Sequence, residues 1–90
     1  MKKAIITVVG KDQVGIIAKV CTFLADTQIN ILDISQTILQ GYFNMMMIVD
    51  IKDTVNDFAT ISDELEKLGK DIGVNIKLQH EDIFNKMHRI

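Results

Sequence analysis

The sequence predicts an α+β domain of order β-α-β-β-α-β, a four-stranded antiparallel sheet with two helices packed on one face. Three observations predict it. Four runs rich in Ile, Val, Thr and Met read as strands: Ala4–Val9, Ile29–Gln40, Tyr42–Ile51 and Val74–His80. Two longer stretches, Gln13 to about Thr27 and Val55 to Ile72, repeat apolar residues at intervals of three and four, the helical spacing. Gly10, Gly41 and Gly73 fall at the junctions, where turns and helix stops belong. No linker, repeat or low-complexity stretch interrupts the 90 residues, so one domain over residues 1–90 is expected.

Ala4–Val9 is β-branched and ends at Gly10. The first helix then carries Val14, Ile17, Val20, Cys21 and Leu24 on its apolar stripe, with Asp12 as the expected N-cap. In the second strand Leu32, Ile34, Gln36, Ile38 and Gln40 share one parity, and Ile31, Asp33, Ser35, Thr37 and Leu39 the other. Gly41 permits a tight reversal into the third strand. There Phe43, Met45, Met47, Val49 and Ile51 form an apolar face, and Tyr42, Asn44, Met46, Ile48 and Asp50 a mixed one. Asp53 or Thr54 is placed to cap the second helix, whose stripe is Val55, Phe58, Ile61, Leu65, Leu68 and Ile72. Gly73 suits its end, because a left-handed residue there has no Cβ to clash. Val74, Ile76, Leu78 and His80 then alternate with Asn75, Lys77 and Gln79. A short helix from about Glu81 to His88, with Ile83, Phe84 and Met87 on one side, is expected as a C-terminal extension (about residues 81–90).

This order is the ferredoxin-like split βαβ arrangement, in which right-handed crossovers put both long helices on the same side of the sheet. The other side is then solvated, covered by the C-terminal helix, or used for association.

Composition removes several functions. Ten Lys and Arg against twelve Asp and Glu give a net charge of −2, and Lys2–Lys3 is the only basic pair, so the phosphate-binding stripe of a nucleic-acid protein is missing. RNA-recognition motifs share the topology, and Gly41-Tyr42-Phe43-Asn44-Met45 echoes their aromatic strand, but Ile5–Val9 lacks the partner aromatic. Lys2 and Lys3 before Ala4–Val9 begin like a secretory leader, yet Gly10, Lys11 and Asp12 cut the run short without a cleavage site. No stretch approaches the ~20 apolar residues of a membrane span. With a single cysteine no internal disulfide forms, and a soluble, cytoplasmic protein is expected.

Catalytic and metal chemistry find little support. Cys21 lies on an apolar stripe without a cation beside it, the setting of a packed thiol rather than an activated one. His80, Glu81, Asp82 and His88 match no zinc spacing, and helix-end charges account for them, so no metal or cofactor is expected. Arg89 is the only arginine, so the loop after the first strand has no arginine of the acylphosphatase kind, nor the paired cysteines of a metallochaperone. No enzyme is expected.

The loop Gly10-Lys11-Asp12-Gln13-Val14-Gly15 is the remaining candidate. It joins a strand to a helix N-terminus, where free amide groups and the dipole favour a carboxylate. Asp12 can receive an ammonium group, and the pair suits a zwitterion such as an amino acid. On the residues alone, Asp12 can equally serve only as a cap and the glycines only as turn formers.

That loop, extended to Ile16 and followed at fitting spacing by Ile29-Asn30-Ile31-Leu32-Asp33-Ile34-Ser35-Gln36, resembles the ACT domain, a small regulatory module that often binds amino acids. The resemblance covers nearly the whole chain. The ending Glu81-Asp82-Ile83-Phe84-Asn85-Lys86-Met87-His88-Arg89-Ile90 is similar to that of the stand-alone bacterial ACT proteins once grouped as an uncharacterised family. The resemblance implies ligand contacts from Asp12 and Asn30, with amides near Gln13, Val14, Gly15 and Ile16 at the carboxylate. It also implies side-by-side homodimers through edge strands, with the ligand at the seam. Asp12 and Val14 depart from the Asn and Pro common among serine-binding members. Without a domain of its own to regulate, such a module would act on a separate protein. The alternative is a ligand-free interaction module, docking through Tyr42, Asn44, Met46 and Ile48 or through Phe84, Met87 and Ile90.

Overall fold

The structure, a computed structural model, describes residues 2–81. The strands are β1 (Lys3–Lys11), β2 (Asn30–Leu39), β3 (Tyr42–Asp50) and β4 (Val74–His80), and the helices α1 (Ile16–Asp26) and α2 (Phe58–Ile72). The sheet is antiparallel throughout in the order β2-β3-β1-β4, the ferredoxin-like topology. Of the expected C-terminal helix only Glu81 is helical among the described residues; Asp82 to Ile90 lie outside them.

One face of the sheet carries the core. Ala4, Ile6 and Val8 of β1, Phe43, Met45, Met47 and Val49 of β3, and Val74, Ile76 and Leu78 of β4 are buried beneath Ile16, Val20 and Leu24 of α1 and Ile61, Leu65 and Ile72 of α2. At roughly 1.5–3 kcal/mol for each large apolar side chain taken out of water, this one layer supplies the main drive for folding. The far face is mixed: Tyr42 is 60% exposed and Met46 36%, whereas Ile5 is buried at 3%.

Both helix starts fall later than their sequence spacing suggests. α1 begins after Gly15, not at Gln13, so its buried stripe is Ile16, Val20 and Leu24, while Ile17 is half-exposed and Val14 stands fully in solvent. Asp12 is therefore not its cap. α2 is capped by Asp57, not Asp53 or Thr54: the Asp57 carboxylate accepts from the Thr60 amide at 2.8 Å. Val55 precedes the helix and is 86% exposed. The apolar stripes of both helices continue past their caps as sequence, but packing against the sheet decides where each helix starts.

The β2–β3 hairpin turns on Gln40 and Gly41, both with positive φ (53° and 81°), the two-residue geometry that matches strand twist. Gly10 does not need unusual angles, contrary to the sequence expectation. It sits inside β1 between Phe43 and Val74, and a Cβ there would come within 2.8 Å of the Val74 side chain. β2 also breaks its parity. A bulge between Ile31 and Asp33 puts Ile31, opposite Val49, on the same face as Ile34, Gln36 and Ile38.

Candidate functional site

The β1–α1 loop is held from both sides. The Asp12 amide donates to the Gly41 carbonyl at 2.8 Å, tying the loop to the β2–β3 turn. The Gln13 side-chain amide donates to the Ile72 carbonyl and so satisfies one of the orphan acceptors at the end of α2. Gly15 then turns the chain into α1 with φ 90°, ψ 2°, a left-handed conformation that favours glycine. A Cβ at Gly15 would meet nothing within 4 Å, so the backbone angle, rather than close approach by another group, explains the residue.

The consequence is an uncapped helix start. No side chain caps α1 and no acidic residue lies in its first turn; the first helical bond of the loop runs from the Lys19 amide to the Gly15 carbonyl at 3.0 Å. The amides ahead of Lys19 remain donors at the positive end of the dipole. They border an open depression of about 410 Å³ lined by Asp12, Gln13, Gly15, Ile16, Ile17, Ala18 and Phe43. A larger depression, about 470 Å³, lies between α2 and β4 and includes Glu66, Lys70 and Asn75. It abuts the C-terminal, electronegative end of α2, with Lys70 in its lining.

Four of the six residues expected in the site, Asp12, Gln13, Gly15 and Ile16, line the smaller depression. Val14 points away. Asn30 is at the opposite end of the sheet: it pairs with Asp50, which pairs with Lys3, whereas the loop follows Lys11, in the row of Tyr42 and Leu39. β1 is nine residues long, so the two ends are about 26 Å apart at ~3.3 Å per residue. One chain therefore does not bring Asp12 and Asn30 together. Ile17, Ala18 and Phe43 complete the wall and were not legible as site residues. Phe43 was recognisable only as a core residue until its register opposite Gly10 was known.

At the Asn30 end, the Asp50 carboxylate accepts from the Lys52 and Lys2 amides, each at 3.1 Å. These donors, Lys52 first, hold its pKa below the usual 3.8. Among the described residues no group of three His, Cys, Asp or Glu side chains is placed to hold a metal ion, and no helix is long and apolar enough to cross a membrane. Cys21 is partly exposed on α1 rather than fully buried.

The ACT-domain family matches residues 2–79. A UPF0237 protein of Bifidobacterium longum is 63% identical over the full length of both chains. An ACT domain protein from Streptococcus pneumoniae superposes with a TM-score of 0.82 at 47% identity, covering 92% of this chain and 93% of that one. The ligand-free regulatory subunit of aspartate kinase from Thermus thermophilus matches with a TM-score of 0.66 at 32% identity, over 88% of this chain and 51% of that one. ACT domains are regulatory modules that bind small ligands. The chain belongs to the ACT-domain family, among its small UPF0237 members.

Proposed function

We propose that this protein is a regulatory sensor that binds an amino acid, or a similar small zwitterion, at the seam of a homodimer and signals to a separate protein. The observation that carries the reading is the uncapped start of α1, opening on a depression with Asp12 at its rim. The helix amides receive the carboxylate and Asp12 the ammonium group. The apolar wall of Ile16, Ile17 and Phe43 admits a side chain of modest size.

The separation of Asp12 from Asn30 supports a seam rather than a pocket within one chain. β2 is an edge strand. Antiparallel pairing of two β2 strands about a two-fold axis carries Asn30 of the partner subunit toward the Gln40–Gly41 turn, which is bonded to Asp12. The site is then shared, and occupancy favours the paired arrangement because only that arrangement offers all the contacts.

Thermal unfolding against a panel of amino acids and related acids tests the proposal. A ligand at a hundred times its dissociation constant stabilises by about 2.7 kcal/mol. For a domain of this size that moves the midpoint by on the order of 10–20 °C. The expected result is a shift with one ligand that Asn30→Ala and Asp12→Asn each abolish. No shift across the panel would favour the ligand-free interaction module, docking through the exposed Tyr42 and Met46 of the far face.

A further inference from the structure

Ile5 is buried, yet on the side of the sheet away from the core. On β1 it alternates with Ala4 and Ile6, which face the helices, so it belongs to the far face, between Ile48 and Gln79. Among the described residues it is the one buried hydrophobic side chain outside the core cluster. Lateral neighbours do not account for its 3% exposure. Thr7 and Val9 share its strand and its face, and each is also flanked on both sides. Thr7 is smaller than Ile5 and lies between the long side chains of Met46 and Lys77, yet is only half-buried, and Val9 is 46% exposed. Cover is therefore concentrated over one end of the face and fades toward the other. A side chain so fully buried needs atoms above it as well as beside it. Both helices pack on the opposite side and supply none.

The chain itself arrives at the covered end. β4 finishes at His80, opposite Ala4. The helix side is closed there: the His80 ring stacks on Phe58, the first residue of α2, with centroids 3.9 Å apart. Glu81 then leaves the strand in helical conformation, and its carboxylate stands 4.0 Å from the Lys3 ammonium group. Lys3 has the parity of Ile5, so Glu81 lies on the far side, beside the next same-face residue of β1. This partly exposed pair contributes little to stability. It shows the direction in which the chain leaves the sheet. Residues 82–90 follow. Ile83, Phe84, Met87 and Ile90 fall on one side at helical spacing, with Asp82, Asn85, Lys86 and Arg89 on the other. A helix of that length spans about 14 Å, and Ile5 to Val9 is about 13 Å along β1.

We propose that residues 82–90 fold back over the far face as an amphipathic cover seated on Ile5 and Ile48. Ile5 is buried within a single chain, so the cover is intramolecular and needs no second copy. Phe84 and Met87 then face the sheet, where a separate protein does not reach them, and the covered end is closed to stacking by another sheet. Tyr42 and Val9, at the other end, stay open. The β1–α1 depression also lies at that open end, so the cover stands whether or not the loop binds a ligand.

A nitroxide on Met87→Cys, in the full chain with Cys21→Ser, tests this through its broadening of backbone amide signals. The expected result is the strongest broadening at residues 4–6, 47–49 and 78–80, with Tyr42 and α1 spared. Broadening absent from β1 and β3, or centred on a helix, would overturn the proposal. Mixing nitroxide-bearing chains with isotope-labelled chains that lack the nitroxide separates the two sources of contact. Broadening in that mixture would seat the segment on a second copy and overturn an intramolecular cover. Phe84→Asp should lower the unfolding midpoint, whereas Lys86→Asp, on the polar side, should not. Equal midpoints for the two would likewise overturn the cover, and if Phe84→Asp does not fold the nitroxide pattern decides.

Discussion

At Gly69 one methyl group separates two opposing effects. The residue is buried in α2, where alanine would gain about 1 kcal/mol in helix propensity. Its Cβ, however, would lie 2.6 Å from the Val74 carbonyl oxygen and 3.2 Å from the Ile76 side chain. The first obstacle is backbone, which cannot swing aside, and overpacking of this kind costs roughly 1–3 kcal/mol. Sterics therefore win. Gly69→Ala should lower the unfolding midpoint by several degrees in calorimetry, and a midpoint at or above wild type would show that α2 slides freely over β4. Gly10 obeys the same logic against Val74, while Gly15 faces open space and is held by its backbone angle alone. The chain order marks all three as glycines, but only the packing says which need room and which need freedom.

At the scale of elements, α2 offers a clean pH experiment. The Asp57 carboxylate caps the helix by accepting from the Thr60 amide, and hydrogen bonds from the Thr60 hydroxyl first, then from that amide, hold its pKa below 3.8. A carboxylate depressed in the folded state contributes stability that is complete above its unfolded pKa and is lost as pH falls through the folded value. The cap's contribution should therefore be constant at neutral pH and fade only below about 3.8. Asp57→Asn retains an acceptor but does not titrate. Its midpoint should lie closest to wild type in acid, and a gap between the two that widens below pH 4 would contradict the assignment. Four residues with good cap propensity, Asp53, Thr54, Asn56 and Asp57, precede this helix. Local chemistry does not rank them. The choice is made by the need to set Ile61, Leu65 and Ile72 against the sheet, with Phe58 packed at the margin.

For the whole molecule, the exposed β2 edge is where the proposed seam lies. Ile38→Lys places a charge where the second β2 strand is proposed to sit, yet the side chain is half-exposed and outside the core. The expected outcome is a folded monomer by sedimentation with unchanged circular dichroism, and loss of the ligand-dependent thermal shift. A variant that stays dimeric would place the seam elsewhere. A variant that loses its fold would show that Ile38 supports the monomer rather than the association. Asn30→Ala should behave differently, since Asn30 is exposed at the start of β2 and its loss leaves the rest of that edge unchanged. The dimer should persist and only the ligand response should disappear.

The sequence by itself determined the element order, the antiparallel α+β class, the buried faces of β3 and β4, the glycine that ends α2 and the loop that opens α1. Each of these follows from local periodicity or from the chemistry of one residue. Tertiary structure alone decided where the helices begin, which face Ile31 joins, and that Asp12 and Asn30 stand at opposite ends of the sheet. Those depend on strand register, and a single bulge at Leu32 changes the register without leaving a mark in composition. Period-two reading carries parity unbroken along a strand, but hydrogen-bonded pairing between distant segments is what sets it. Asp12, Gln13, Gly15 and Ile16 of the candidate site were thus legible as residues, while the part of Ile17, Ala18 and Phe43 in its wall, and the separation of Asn30 by about 26 Å from the loop it was expected to join, were properties of the folded sheet.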